Sequence, residues 1–179
     1  SIASGTSINA SLNTIHTITG TGTGNTFSNG ISVISGSTVN VFKNKIYNLS
    51  QQFSAGGTNP LVNGLLIKGG TTVKAYNNFI SDLRAPVANA DDAIHGISLI
   101  SSVLNSNCDI YYNTVYLNAT STGANFGTSG IFHTGSATAT TAALNLRNNI
   151  IDNESVAAGT GLTVAFRNAT VELNNYAAA

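Results

Sequence analysis

Short segments in which apolar and polar residues alternate recur along the chain at a nearly constant interval. One of these segments contains a glycine and reads NGISVIS, NGLLIKG, HGISLIS and SGIFHTG, with a looser copy, GLTVAF. The glycines are Gly30, Gly64, Gly96, Gly130 and Gly161, at intervals of 34, 32, 34 and 31 residues. Alternation with a period of two is typical of a strand with one buried face. The pattern therefore predicts one such strand in every repeat.

A second motif, apolar-x-x-Asn-x-(Ile/Val), follows the glycine segments. It reads VFKNKIY, AYNNFIS, IYYNTVY and LRNNIID, with an earlier copy, ASLNTIH, and a truncated last copy, VELNNY. Its asparagines are Asn13, Asn44, Asn78, Asn113 and Asn149, followed by Asn174 or Asn175. Gly30 and Gly64 each stand 14 residues before their asparagine, and the next two copies carry insertions of three and five residues. This kept offset between two motifs indicates a structural repeat.

Each repeat reads as strand, short turn, strand, asparagine turn, strand and long loop. Such a short unit cannot close a core alone, but stacking units at about 4.8 Å per rung buries continuous apolar columns. We therefore predict an all-β fold, a right-handed parallel β-helix of about five rungs, which spans residues 1–179 as a single segment. The predicted inward columns are Ile31, Leu65, Ile97, Ile131 and Leu162; Val33, Ile67, Leu99, His133 and Val164; Val39, Val73, Cys108 and Leu144; and Ile15, Ile46, Ile80, Val115 and Ile151.

The repeated asparagine has a physical role in this fold. A turn between two strands of one rung needs a residue that tolerates left-handed or bridge-region backbone angles, and Asn does so. Its side chain also carries both a donor and an acceptor, so stacked asparagines can hydrogen-bond from rung to rung. The sequence thus predicts a ladder in which each buried bond contributes about 1 kcal/mol. Its members are Asn13, Asn44, Asn78, Asn113 and Asn149.

The composition narrows the function classes. Charged residues make up 8% of the chain and the formal net charge is zero, whereas soluble domains contain about 25% charged residues. Seven Lys and Arg residues do not make the basic patch that nucleic-acid binding requires. No apolar run approaches the roughly 18 residues of a membrane span. A hydrophobic content of 42% with so little charge disfavours disorder.

The ends of the chain and its residue usage bear on where the protein works. The chain begins SIAS, without Met or a signal peptide, and is interpreted as a piece of a longer protein. Little Lys and Glu with abundant Asn and Thr favours a secreted or cell-surface location. We expect both ends to be uncapped within this segment. Their partners would be further β-helix rungs, or a capping or secretion partner.

The repeat resembles a known family. Gly-Ile-x-Leu-x-Ser followed by Val-x-Val-x-x-Asn-x-Ile is similar to the right-handed parallel β-helix repeat of the pectate-lyase-like superfamily, over nearly the whole chain. The stretch NTVYLNATSTGANFGTSGIF, with LRNNIIDNES and GTGLTVAFRN, resembles repeats in very large secreted Bacteroidota proteins of the type IX secretion cargo kind. The superfamily includes polysaccharide lyases and hydrolases, adhesins, tailspikes and stalks, so the fold does not decide the function.

Two neighbouring aspartates are the candidate for a metal or acid–base site. Asp91 and Asp92 stand in the predicted loop ANADDAIHG, with His95 three residues further on. They are interpreted either as a calcium site or acid–base pair, or as a solvated turn whose Asp side chains cap backbone amides, and the turn is favoured. The remaining carboxylates are not stacked on one face, as a hydrolase would need. No catalytic residue and no cofactor is therefore predicted, with calcium as the one alternative.

Residues outside the carboxylates give a second set of candidates. His133, in an aliphatic column, is interpreted as a core-edge histidine, and Cys108 as a small buried hydrophobe. Aromatic residues recur at two outward positions, two before and three after the asparagine. Stacked aromatics can stabilise the sheet or contact sugar rings, and stabilisation is favoured. The candidate glycan-contact residues are Phe42, Tyr76, Tyr111, Tyr47 and Tyr116.

Taken together, these patterns predict a structural or adhesive β-helix segment of a secreted bacterial cell-surface protein, with polysaccharide as a candidate partner. The first alternative is a polysaccharide-active enzyme, a lyase or hydrolase, as the resemblance implies. The second is a type IX secretion cargo domain with no activity of its own. Neither a nucleic-acid partner nor a membrane span is expected.

Overall fold

The computed structural model describes residues 1–22, 27–53, 61–101, 103–134 and 143–169, and in these ranges all regular structure is β. The strands are β1 (Ser7–Ser11), β2 (Thr14–Gly20), β3 (Ser28–Val33), β4 (Thr38–Phe42), β5 (Lys45–Gln51), β6 (Val62–Ile67), β7 (Thr72–Tyr76), β8 (Phe79–Ser81), β9 (Leu83–Arg84), β10 (Ala90–Leu99), β11 (Asn107–Tyr111), β12 (Thr114–Leu117), β13 (Phe126–His133), β14 (Ala143–Arg147), β15 (Ile150–Asn153) and β16 (Thr163–Asn168). They follow the predicted order of three strands per repeat.

The strands form three parallel sheets. The glycine sheet has the order β3-β6-β10-β13-β16, and the middle sheet has the order β1-β4-β7-β11-β14. The corner sheet, which follows each asparagine, has the order β2-β5-β8-β12-β15, with β9 also paired to β5. Each sheet is thus five levels deep, so the chain makes about four full turns of a solenoid. The predicted parallel β-helix is confirmed.

Most of the predicted columns are confirmed by the register. Val39, Val73, Cys108 and Leu144 are paired in succession along the middle sheet. Ile15, Ile46, Ile80, Val115 and Ile151 are paired along the corner sheet. In both sheets the members of the central rungs are fully buried. In-register parallel pairing explains why like residues recur at like positions.

The last level of the glycine sheet differs from the prediction. Ile131 pairs with Phe166 rather than with Leu162, and His133 pairs with Asn168 rather than with Val164. The reason is that Gly161 does not open a strand. It passes so close to Phe126 that a Cβ would lie 1.9 Å from the Phe126 carbonyl oxygen. Close backbone approach, not strand position, requires glycine there.

The other four glycines recur because two sheets touch at their position. A Cβ on Gly30, Gly64, Gly96 or Gly130 would lie 2.2–2.5 Å from a methyl group of the corner sheet. The methyl groups belong to Ile46, Ile80, Val115 and Ile151. Any side chain at these positions would therefore force the glycine and corner sheets apart.

Each long connection runs from the corner sheet to the glycine sheet, so the described parts of these connections lie at the same edge of the solenoid. The predicted loop ANADDAIHG is wrong, because most of this segment belongs to strand β10, which runs from Ala90 to Leu99. The last asparagine copy and the C-terminal end lie outside the described residues. Within the described ranges no helix is long and apolar enough to cross a membrane.

Candidate functional site

The asparagine ladder runs through all five levels of the corner between the middle and corner sheets. The side-chain amide Nδ2 of each of Asn13, Asn44, Asn78 and Asn113 donates to Oδ1 of the asparagine on the next level, at 2.9–3.0 Å. The backbone N–H of the same residue donates to the same Oδ1, at 3.0–3.1 Å. The central three asparagines are 2% exposed or less. Water therefore offers them no alternative partners.

Four of the five ladder asparagines also bond to the level before them. Nδ2 of Asn78 donates to the Val41 carbonyl, on the previous level of the middle sheet, at 2.9 Å. Asn44, Asn113 and Asn149 make the equivalent bond to Ala10, Ala75 and Ile110. One side chain thus satisfies groups on three levels. A residue lacking either the donor or the acceptor cannot replace it.

The left-handed residue of this corner is not the ladder asparagine, contrary to the prediction. Positive φ angles of 52–60° fall on the residue immediately before it. These residues are Leu12, Lys43, Asn77, Tyr112 and Asn148. The ladder asparagine keeps ordinary backbone angles because its side chain must point inward to bond the stack. The strain is thereby moved to a neighbour that faces solvent.

The aromatic column on the middle sheet forms a continuous stack. The rings of Phe42 and Tyr76 lie 4.9 Å apart with planes 2° from parallel, and those of Tyr76 and Tyr111 lie 5.0 Å apart at 1°. Both faces of the Tyr76 ring are therefore covered by aromatic neighbours. Sugar rings bind aromatic faces, so the centre of this column offers only ring edges.

The second aromatic column is interrupted. Tyr47 stacks on His16 at 5.0 Å, and the Lys45 ammonium lies 5.0 Å from its ring centroid. Tyr116 pairs with Ser81 on the level before it, and its hydroxyl donates to Glu154 at 3.0 Å. These two tyrosines therefore do not share a surface for a sugar chain. Whether any of the five aromatic residues contacts a glycan stays a prediction.

Asp91 and Asp92 do not form a joint site, and they do not lie in a solvated turn. Both belong to β10, where neighbouring side chains alternate in direction. Asp91 is exposed and accepts a hydrogen bond from the Thr160 hydroxyl at 2.6 Å. Asp92 is 7% exposed and lies 3.0 Å from Nε2 of His95 and 3.1 Å from Nε of Arg167. The two carboxylates have different partners, so they do not converge on one ion.

Asp92 is the centre of a buried polar cluster on the glycine sheet. Its other oxygen accepts a 2.7 Å hydrogen bond from the Ser129 hydroxyl, which in turn accepts one from Arg167. The contacts of His95 Nε2 and Arg167 Nε with Oδ2 lack the alignment of hydrogen bonds, and the Arg167 contact is an ion pair. Asp92, Ser129 and Arg167 stand on three successive levels. The cluster thus ties β16 to the stack.

His95 also completes a chain of contacts with the order Asp–His–Ser. Its Nδ1 lies 3.2 Å from the Ser98 hydroxyl, and Phe132 stacks on the ring at 4.2 Å. This is the connectivity that activates a nucleophile in hydrolases. Ser98 is fully buried and His95 is 1% exposed. A substrate cannot reach the hydroxyl in this conformation.

His133 and Cys108 line a small cavity of about 10 Å³, the space of roughly one water molecule. Burial raises the pKa of the Cys108 thiol to about 12, with Asp109 adding to the effect. Burial lowers the pKa of His133, and its 3.4 Å contact with Asn168 opposes that shift. A thiol with so high a pKa is protonated at neutral pH and is a poor nucleophile.

Sequence reasoning missed two features of these sites. Arg167 and Ser129 were not singled out, because nothing in their local sequence marks them as partners of Asp92. A stacked turn with positive φ at Gly5, Gly36 and Gly70 was also missed, although its glycines recur at the repeat interval. Within the described ranges no group of three or more His, Cys, Asp or Glu side chains is placed to hold a metal ion.

No family model, curated protein or solved structure shows significant similarity to the chain.

Proposed function

We propose that the chain is a rigid spacer segment of a secreted bacterial cell-surface protein, with adhesive outer faces. The observation that supports the spacer role most strongly is the asparagine ladder, because one line of hydrogen bonds runs from Asn13 to Asn149. Each level packs on two neighbours, so bending or separating levels breaks buried bonds. A segment built in this way keeps its length under load.

The secreted location and the bacterial source belong to the same proposal. The low charge and the many Asn and Thr residues favour a surface role, and the likeness of the repeat to pectate-lyase-like β-helices and to type IX secretion cargo of Bacteroidota favours export. If the segment is cargo with no activity of its own, rigidity alone is its function. Protease accessibility on intact source cells tests the location, because a segment inside the cell would be protected.

Force spectroscopy tests the spacer role directly. The 179-residue chain is held by handles at its two ends and stretched, and a double variant, Asn78→Ala with Asn113→Ala, serves as the comparison. We expect the parent to resist extension and then to unfold in resolved events, and the variant to unfold at lower force. A parent that extends smoothly at low force, or a variant indistinguishable from it, would contradict a spacer held by the ladder.

A polysaccharide-active enzyme is the second candidate, and one observation favours it, the contact chain from Asp92 through His95 to Ser98, in which the imidazole would serve as the proton-abstracting base of a lyase. For this chain to act, Phe132 would have to leave the His95 ring. The test incubates the parent and His95→Gln with acidic polysaccharides and calcium and follows the ultraviolet absorbance of unsaturated products and the release of reducing ends. Activity that depends on His95 would support the enzyme, and its absence from the parent would remove this candidate.

A further inference from the structure

A recess of about 210 Å³ lies where the middle sheet turns into the corner sheet, near the last ladder levels. Tyr111, Tyr112, Arg147 and Asn148 line it. Pockets for drug-sized ligands measure roughly 300–1,000 Å³. This recess is smaller, so its size suits a single ring rather than an extended chain.

Parallel stacking brings the lining residues together from two levels. Tyr111 pairs in register with Arg147, and the residues that follow them, Tyr112 and Asn148, occupy the left-handed corner position with φ of 56° and 52°. Asn tolerates that conformation, but a tyrosine held there is an outlier. Tyr112 is also 56% exposed, so packing does not require it. The corner imposes this backbone conformation on every level, and what distinguishes Tyr112 is that it presents an exposed aromatic ring there.

The aromatic pair leaves one ring open to a ligand. Tyr111 is covered on one face by Tyr76. The Tyr112 ring stands almost perpendicular to Tyr111, at 81° with centroids 5.7 Å apart, and projects into solvent. An aromatic ring in this position can pack against the apolar C–H face of a pyranose. Tyr112 is therefore the member of the aromatic group best placed to hold a sugar.

The recess also carries the positive charge of Arg147. Among the described residues, no carboxylate forms an ion pair with Arg147. Asp109, on the neighbouring strand β11, accepts a 2.8 Å hydrogen bond from the Asn145 amide and lies opposite Lys74 in the register. A guanidinium presents a planar fork of N–H groups that matches a carboxylate in a bidentate pair. Arg147 is thus available to an external carboxylate.

From this geometry we propose that the recess binds one acidic sugar residue, a pyranose ring that carries a carboxylate. Arg147 binds the carboxylate, the ring packs on Tyr112, and the Asn148 amide bonds sugar hydroxyls. This deepens the adhesive part of the proposed function and rests on it. The spacer part does not depend on it.

The test uses two probes that differ only at C6, methyl β-glucuronide with a carboxylate and methyl β-glucoside with a hydroxymethyl group. Binding is followed by NMR, through saturation transfer to the sugar and shifts of the tyrosine ring protons. The variants are Arg147→Gln and Tyr112→Asn, the latter placing at this corner the residue that stands at positions 77 and 148. Lys74→Gln is the matched control, because it removes one positive charge from the same sheet.

We expect the parent to bind the glucuronide at least tenfold more tightly than the glucoside. Arg147→Gln should lose that preference, Tyr112→Asn should weaken glucuronide binding at least fivefold, and Lys74→Gln should match the parent. Acetate should bind more weakly than the glucuronide. No saturable binding by the parent, an equal loss in Lys74→Gln, or acetate binding equal to the glucuronide would overturn the proposal. Thermal unfolding of each variant checks its fold, and the force measurement reports the spacer role separately.

Discussion

Asn78 and Asn113 are joined at two points: the backbone N–H and the side-chain Nδ2 of Asn78 both donate to the single Oδ1 of Asn113, at 3.1 and 2.9 Å. One oxygen therefore fixes both the backbone and the side chain of the level before it. The relationship is repeated from level to level, so each asparagine holds its predecessor in register. This directional pattern explains why the repeat keeps asparagine and not merely a polar residue.

Removing one ladder side chain should destabilise the whole stack. In Asn78→Ala, the N–H and Nδ2 of Asn44 lose their acceptor and the Val41 carbonyl loses its donor. All of these groups are away from water, so we expect a loss of about 1–3 kcal/mol in the free energy of unfolding. Urea unfolding measures it. An unchanged denaturation midpoint would count against the ladder.

Asn78→Asp sharpens this prediction through pH. A carboxylate oxygen in place of Nδ2 would face the acceptors Asn113 Oδ1 and Val41 O, and both repulsion and burial raise its pKa in the folded state. The folded protein then holds a proton that the unfolded chain releases near pH 4, so stability falls as the pH rises from about 4 through the folded pKa. We expect the Asp variant to recover stability on acidification relative to Asn78→Ala. If the stabilities of Asn78→Asp and Asn78→Ala changed in parallel with pH, the assignment of Nδ2 of Asn78 as the donor would be refuted.

Relieving a strained corner should stabilise the protein. Lys43 is exposed and has φ of 55°, a conformation that costs a residue with a Cβ about 1–2 kcal/mol, whereas Asn tolerates it well. We expect Lys43→Asn to raise the unfolding free energy by about 0.5–1 kcal/mol. Lys45→Asn, with the same charge change in a regular strand, is the control. Equal effects of the two substitutions on the thermal midpoint would show that backbone strain is not the cause.

His133 should make stability depend on pH. Its folded pKa is lowered by burial, so below the ordinary value of about 6.5 the unfolded chain takes up a proton that the folded protein refuses. Stability contributed by neutral His133 is therefore present above pH 6.5 and is lost as the pH falls through the folded pKa. We expect the difference between the parent and His133→Leu to change across that window in urea unfolding. A constant difference would contradict the shift.

The sequence was sufficient for features that repeat and insufficient for features that occur once. The ladder and two full columns could be predicted because parallel stacking copies a side chain to every level. Gly161 was wrongly matched to the strand glycines, because glycine is also needed where two backbone segments approach closely, here at Phe126. The surroundings of Asp92 could not be predicted, since Arg167 lies 75 residues away (167 minus 92) and two levels along the stack.

The position of the positive φ angle, on the residue before each ladder asparagine, could not be predicted from residue type either. Leu12, Lys43 and Tyr112 carry no preference for positive φ, and only the position of the neighbouring asparagine places them there. The aromatic column was predicted from its spacing, but its availability to a ligand was not. The rings are parallel and about 5 Å apart, so neighbouring rings cover both faces of the ring at the centre of the column. Only the structure identifies Tyr112 as the open ring.

Hydrogen exchange at the backbone amides of Asn13, Asn44, Asn78 and Asn113 tests the central claim most directly. These N–H groups donate to a side-chain oxygen of the next level rather than to a backbone carbonyl. If the ladder holds the stack as one rigid unit, the amides of Asn44 and Asn78 will be protected as strongly as the buried strand amides around them, and all will lose protection together in Asn113→Ala. Rapid exchange at Asn44 and Asn78 in the parent, with the strand amides still protected, would contradict the account.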